Sequence, residues 1–333
     1  MRDYSFDSLN LLAEAPTIVF ASDSEVMSRI ERLKRITGFA TAYDENDQCF
    51  RVFARFDHVQ RVAWIARQFA ELIGAPVDET LKYVWLHDIN RWAFSHNSEI
   101  GNYSQSEDIS RYFEELPEDV AHYSSDLKSF HEKKLPGPNA SYDVALAADM
   151  LAGMLEDPLM LIGGLNVSPD FLEGTEGFGV DHYCDPERIV ALKELAKFLH
   201  LNGDVERFRH LFAEQFTDAF RSFTELYNVS SFESTDYYRL IAEKTEAFKQ
   251  SVLRPRIFPV NNELVSNASA IKEIVKDLKQ TLGEVKVRDL MLEVDDQSAP
   301  ERFLAEGIDQ LRVDAIKPKI DGIATALGVD PLV

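Results

Sequence analysis

Cysteine is nearly absent from this chain: Cys49 and Cys184 are the two in 333 residues. A disulfide framework is therefore excluded as the source of stability, and a reducing, cytoplasmic setting is expected. Long hydrophobic runs are missing too. No uncharged apolar stretch approaches the roughly 18 residues that a membrane-spanning helix requires. The opening segment MRDYSFDSLN lacks a basic start followed by an apolar run, so no secretory signal is expected. Positive charge is scarce, with 35 Lys and Arg against 57 Asp and Glu, a formal net charge of -22. Duplex nucleic acid is not expected as a partner on that ground, because neutralising its phosphates takes clustered cations. An anionic membrane surface is disfavoured for the same reason. A small phosphorylated substrate is not excluded, since it needs only a few local cations or a metal ion.

What is present suits a folded, helical protein. Hydrophobic residues make up 45% and charged residues 28% of the chain, enough to build a sizeable core. From Phe56 to Ile73, Val59, Val62, Ala63, Ala66, Phe69, Ala70 and Ile73 recur at three- and four-residue steps, which predicts one helix with one buried stripe. Gly74-Ala75-Pro76 ends it, and a second helix is predicted to start near Asp78 and run through LKYVWLHDI. A third is predicted over Asn139 to Pro158, with Ser141 as N-cap, Val144, Ala145, Ala148, Leu151 and Leu155 as its stripe and Pro158 as its stop. Loops are predicted at residues 133–141 and 163–186, and further helices at Glu187–Leu201, Val205–Leu226 and Ser234–Val252. Phe212, Phe216, Phe220 and Phe223 form an aromatic stripe suited to a core or a subunit contact. The run RPRIFPVNN marks a boundary, after which VKVRDLMLEV has the look of a strand between two helical segments. The expected architecture is all-α: a helical domain over residues 1–258, with its functional core at about 50–160, and a small C-terminal appendage, helical or α+β, over 259–333.

Four side chains on these helices have the chemistry to hold a divalent metal: His58, the adjacent pair His87 and Asp88, and Asp149. Each falls where the helix stripe faces inward, and an ionisable group buried there costs several kcal/mol unless it is paired or bound to metal. Neighbouring residues on a helix diverge by about 100°. His87 and Asp88 can therefore share an ion only where the helix ends, and Ile89-Asn90-Arg91-Trp92 reads as such an ending.

In this order the residues resemble the HD-domain superfamily, whose pattern is His, then His-Asp, then a distant Asp. More narrowly the chain is similar to the dGTPase-like deoxynucleoside triphosphate triphosphohydrolases. Three stretches carry the resemblance: RLKRITG with ARFDHVQRVAWIARQFA, the ungapped LHDINRWAFSHNSE, and AADMLAGMLED. The fold implied is the helical HD core. The implied metal ligands are His58, His87, Asp88 and Asp149, holding one divalent ion (Mn, Mg, Co, Fe, Ni or Zn). The implied catalytic pair is His96 with Glu99, which are also three residues apart and so neighbours on a helical face. Arg55 is implied to meet substrate phosphate and Asp157 to orient the substrate's far end. The activity implied is hydrolysis of a deoxynucleoside triphosphate to deoxynucleoside and tripolyphosphate, by a homo-oligomer.

The chain also departs from the family pattern. Asn90 stands where the family has Gly, and Trp92-Ala93 where it has Pro-Pro. Ser106 replaces a histidine, and Met150 and Gly153 replace a Lys and a Tyr. Arg91 occupies the place of a phosphate-contacting histidine and has the bidentate geometry to act as phosphate clamp. The metal cage is thus complete in sequence while nucleotide recognition is altered. Two alternatives stay open: an HD phosphodiesterase or nucleotidase of other specificity, for which His122 and His131 are candidates for a second metal, and a non-catalytic nucleotide sensor. Neither the Gly-rich stretches near residues 163–178, which lack a following Gly-Lys-Ser/Thr, nor His182 with Cys184 carries a competing site.

Overall fold

A computed structural model of the chain describes residues 15–21, 24–37, 54–99, 117–131, 137–164, 205–227, 234–257, 266–327 and 329–331, with isolated positions between them. Among the described residues the regular structure is helical, and the β-structure is a single antiparallel bridge between Thr37 and Ala54. The all-α expectation holds. The helices are α1 (Glu25–Arg32), α2 (Arg55–Ile73), α3 (Val77–His87), α4 (Glu118–His131), α5 (Ala140–Leu159), α6 (Val205–Leu226), α7 (Ser234–Phe248), α8 (Ser266–Leu282), α9 (Glu284–Glu293), α10 (Ala299–Ala305) and α11 (Gln310–Ala326). No helix among the described residues is long and apolar enough to cross a membrane. The helix expected at Glu187–Leu201 lies largely outside the described residues, although Glu187, Val190 and Glu194 are helical. The loop expected at 163–186 is likewise mostly outside them.

Internal contacts divide the chain into two compact units. The first comprises Met1–Ser22, His58–His87 and Ser125–Val260, and the second Asp23–Asp57, Asp88–Ser124 and Asn261–Val333.

In the first unit α5 is central, with α3, α6 and α7 packed on it. It is apolar nearly all round, as a helix covered on every side must be. Val144, Ala148, Leu151 and Leu155 are wholly buried. Its N-cap is Asn139, whose side chain accepts from the Tyr142 amide at 2.8 Å. Ser141, expected in that role, instead lies buried within the first turn and donates to the Pro76 carbonyl at 3.4 Å. Most of the stripe on α2 is buried: Val59, Val62, Ala63, Ala66 and Ala70 are fully covered, while Ile73 at its end is half-buried. That helix ends at Gly74, whose φ of 74° is left-handed, and the Ala75 amide closes the end on the Ala70 carbonyl at 2.9 Å. The phenylalanine stripe of α6 is core. Phe212, Phe216, Phe220 and Phe223 are at most 1% exposed. Phe220 meets Trp64 edge-on, with ring centroids 5.0 Å apart.

In the second unit Ser24 caps α1 by accepting from the Met27 amide at 3.2 Å. Asn261–Val333 group in this unit with Asp23–Asp57 and Asp88–Ser124, and a buried arginine links the three stretches. Arg32 donates through its guanidinium to the carbonyls of Met291, Val294 and Arg91, at 2.7–2.9 Å. An isolated guanidinium in such a place is costly, and these carbonyls satisfy it. The VKVRDLMLEV stretch is helix α9 followed by an extended Val294, not a strand. Its alternating valines and leucines resemble a strand locally. Val287, Leu290, Met291 and Val294 also lie at helical spacing, and that is the face the unit buries.

Candidate metal centre and acid–base pair

In the first unit, α2, α3 and α5 bring His58, His87 and Asp149 together. One donor atom from each lies within 4.8 Å of the others, so the three could hold a metal ion. Asp149 Oδ1 is 3.3 Å from His58 Nε2 and 3.5 Å from His87 Nε2. Both histidines are buried, at 4% and 2% exposure, and Asp149 is half-buried.

The other nitrogen of each ring decides the chemistry. His87 Nδ1 lies 2.5 Å from the Val84 carbonyl, which can only accept, so Nδ1 carries the proton. His58 Nδ1 lies 2.5 Å from Glu156 Oε2, and a carboxylate imposes the same assignment. Glu156 is ionised. Burial pushes its carboxyl up, but the Arg61 charge and then His58 outweigh this and hold it down at about 2. With Nδ1 engaged on both rings, each Nε2 faces Asp149 Oδ1, an arrangement in which these three atoms could ligate a metal ion.

A second cluster lies within the second unit. Asp88, fully buried, accepts from Arg55 Nε on one oxygen and from Arg91 Nη2 on the other, the latter at 2.7 Å. Arg91 also donates through Nη1 to Glu99 Oε1 at 2.9 Å, and Glu99 Oε2 meets His96 Nδ1 at 2.5 Å. Burial raises the Glu99 carboxyl, yet Arg91 and then His96 bring it down to about 2, so it is ionised. A carboxylate beside Nδ1 fixes that proton and leaves Nε2 as the exchangeable position. The His96 side chain is 49% exposed while its partner is 6% exposed, which presents an oriented imidazole to solvent.

The backbone that delivers His96 is strained. Phe94 and Ser95 have φ of 62° and 45°, left-handed values that a bulky Phe rarely adopts. The strain is held from two sides within the unit. Asp296 Oδ1 accepts from the Phe94 amide at 2.5 Å and its Oδ2 from the Thr37 amide at 2.9 Å, while Ser95 Oγ donates to the Thr37 carbonyl at 2.7 Å. A short 3-10 turn, Ser95–Asn97, then carries His96 to within reach of Glu99.

Set against the sequence expectations, the structure groups three of the four expected ligands. The fourth, Asp88, accepts from Arg55 and Arg91. Arg91, expected to clamp phosphate, is 2% exposed and joins Asp88 to Glu99. His96 and Glu99 are paired as their spacing predicts, on a 3-10 turn rather than an α-helix. Asp157 is half-buried on α5. His122 is exposed, with its ring edge-on to Tyr123 at 5.2 Å. The side chain of His131, and residues 106, 182 and 184, lie outside the described residues. Sequence reasoning missed Glu156, Arg61 and Asp296. Glu156 is seven residues after Asp149 and Arg61 three after His58, spacings that place each on its neighbour's helix face. Asp296 had no comparable local signal.

Fold and donor chemistry together define an all-α protein with a two-histidine, one-carboxylate group able to hold a metal ion. No protein-family model matches the chain. Over 135 residues, 40% of its length, it is 30% identical to an uncharacterized protein of Methanocaldococcus jannaschii, and the match spans 28% of that relative's length.

Proposed function

We propose that the protein is a metal-dependent phosphohydrolase of the HD type, acting on nucleotides and most similar in chemistry to the deoxynucleoside triphosphate triphosphohydrolases. The observation that carries this reading is the convergence of His58 Nε2 and His87 Nε2 on Asp149 Oδ1, with both Nδ1 protons committed elsewhere. Two imidazoles and one carboxylate favour a first-row transition ion such as Mn, Fe, Co or Zn over Mg. Bound there, the ion supplies Lewis-acid stabilisation of a phosphoryl oxygen and a water of lowered pKa.

The remaining work is assigned to side chains. His96, with Nδ1 held by ionised Glu99, takes or gives a proton through Nε2. Arg55 and Arg91 meet substrate phosphate by exchanging a carboxylate oxygen for a phosphate oxygen, both being acceptors for the same donors. Asp157 orients the far end of the substrate. The net reaction adds water across the bond between the α-phosphorus and the 5′ oxygen, releasing deoxynucleoside and tripolyphosphate. Assembly into a homo-oligomer and a cytoplasmic location belong to the same reading, and light scattering tests the former.

The test is a panel of ribo- and deoxynucleotides incubated with Mn²⁺, Co²⁺ or Mg²⁺, with tripolyphosphate and nucleoside as readouts and Asp149→Ala as control. Turnover lost in the variant supports the proposal, and no product from any nucleotide overturns it. A second reading, a nucleotide sensor without turnover, is favoured by the departures from the family's recognition residues at Ser106, Met150 and Gly153. Saturable nucleotide binding without product, unaffected by His96→Ala, selects it.

A further inference from the structure

The first unit contains a buried ion pair with an unusual division of labour. Glu156, 4% exposed, splits its two oxygens: Oε1 accepts from Arg61 Nε and Oε2 meets His58 Nδ1 at 2.5 Å. A pair serving only to neutralise itself would take the two-pronged form, with both carboxylate oxygens on one guanidinium. Here Arg61 Nη2 is left without a hydrogen-bond partner, buried, while the second carboxylate oxygen goes to the histidine. Arg61 is held instead by aromatic faces, with its guanidinium carbon 5.0 Å from the Phe212 ring centroid and 5.9 Å from that of Phe216. One helix, α5, supplies both Asp149 and Glu156, two turns apart on the same face. His58 therefore has a donor-group oxygen on one nitrogen and an anchored carboxylate on the other.

We propose that Glu156, anchored by Arg61, is a positioning residue for the metal centre: it fixes the ring of His58 with the proton on Nδ1 and the Nε2 lone pair turned towards His87 and Asp149. The inference rests on the metal reading above and deepens it. A carboxylate on the far nitrogen of a ligating histidine sets its tautomer, limits its rotation and raises its basicity. Removing that carboxylate weakens metal binding without removing a ligand. Arg61 acts one step further out. It keeps Glu156 ionised and in place, so its loss costs folding more than it costs metal affinity.

The experiment is a titration of the metal-free full-length protein with Mn²⁺ by calorimetry, repeated with Co²⁺ and its visible spectrum, on wild type, Glu156→Gln, Arg61→Met and His87→Ala. The wild type is expected to take up one ion and His87→Ala to lose it. Glu156→Gln is expected to bind about 10- to 100-fold more weakly at unchanged stoichiometry. Arg61→Met is expected to fall by less than Glu156→Gln in affinity while losing thermal stability. Ring ¹⁵N shifts of His58 in the metal-free wild type supply a readout that no variant can spoil by misfolding, and Nδ1 protonation is expected. Equal affinity in Glu156→Gln and wild type, or a His58 ring protonated on Nε2 alone, overturns the positioning role and leaves the metal reading standing. A wild type that binds neither ion overturns both.

Discussion

Asp296 is the residue whose titration makes the strongest demand on the structure. Its carboxylate is 3% exposed and accepts from the Phe94 and Thr37 amides. Burial pushes its pKa up from the ordinary 3.8 to about 7; the two amide hydrogen bonds and Arg32 pull it down, and Asp295 pushes it further up. The group therefore holds its proton in the folded state at a pH where the unfolded chain has released it. Its contribution to stability is complete below about pH 4 and is lost as pH rises through 7. Integrating proton binding between pH 5 and pH 7 with these two values gives a loss of roughly 2 kcal/mol.

Asp296→Asn cannot titrate. Its single carbonyl serves only one of the two amides and leaves the other facing an NH₂, which costs about 1–3 kcal/mol at pH 5. Urea denaturation of both proteins at pH 5, 6, 7 and 8 reads the comparison directly. The variant is expected to be clearly less stable at pH 5, and the gap is expected to close by roughly 2 kcal/mol at pH 7. Titrating groups that do not interact with Asp296 are common to both proteins and cancel in the difference. Parallel stability curves, or a gap that widens with pH, would refute the argument, since either means that Asp296 is ionised in the folded protein well below neutrality.

Under the proposed hydrolysis, His96→Ala is expected to lower kcat by about 10²–10⁴. Its side chain is 49% exposed, so urea denaturation should place its midpoint near that of wild type, and unchanged turnover would remove His96 from the chemistry. Phe220→Ala empties a fully buried site against Trp64 and Phe69, and is expected to cost about 3–5 kcal/mol in urea denaturation, with a loss under about 1 kcal/mol counting against the packing described. Two glycine substitutions should differ in sign. Gly74→Ala forces a side chain into φ 74° and is expected to destabilise by roughly 1 kcal/mol, whereas Gly153→Ala, inside α5 with nothing within 4 Å of its added carbon, is expected to stabilise by roughly 0.5–1 kcal/mol. Thermal melts of the two variants beside wild type check the pair.

The sequence by itself determined the helical architecture, because a stripe such as Val59, Val62, Ala63, Ala66 and Ala70 and a stop such as Gly74 are local features that hydrophobic burial and backbone sterics read directly. It also determined where His58, His87 and Asp149 stand on their helices and that His96 and Glu99 are within reach of each other, since both follow from helical or turn spacing. Local pattern misled at VKVRDLMLEV, where strand-like alternation and helical spacing coexist and only the buried face of the second unit chooses between them. The tertiary structure alone decided the partners of the charged groups. Asp88 is held by Arg55 and Arg91, His58 by a carboxylate 98 positions away, and Arg32 by carbonyls about 260 positions away. The physical reason is that a buried charge must be satisfied by whatever donor or acceptor the packed fold brings near it, and nothing in the residues flanking that charge encodes which one that will be.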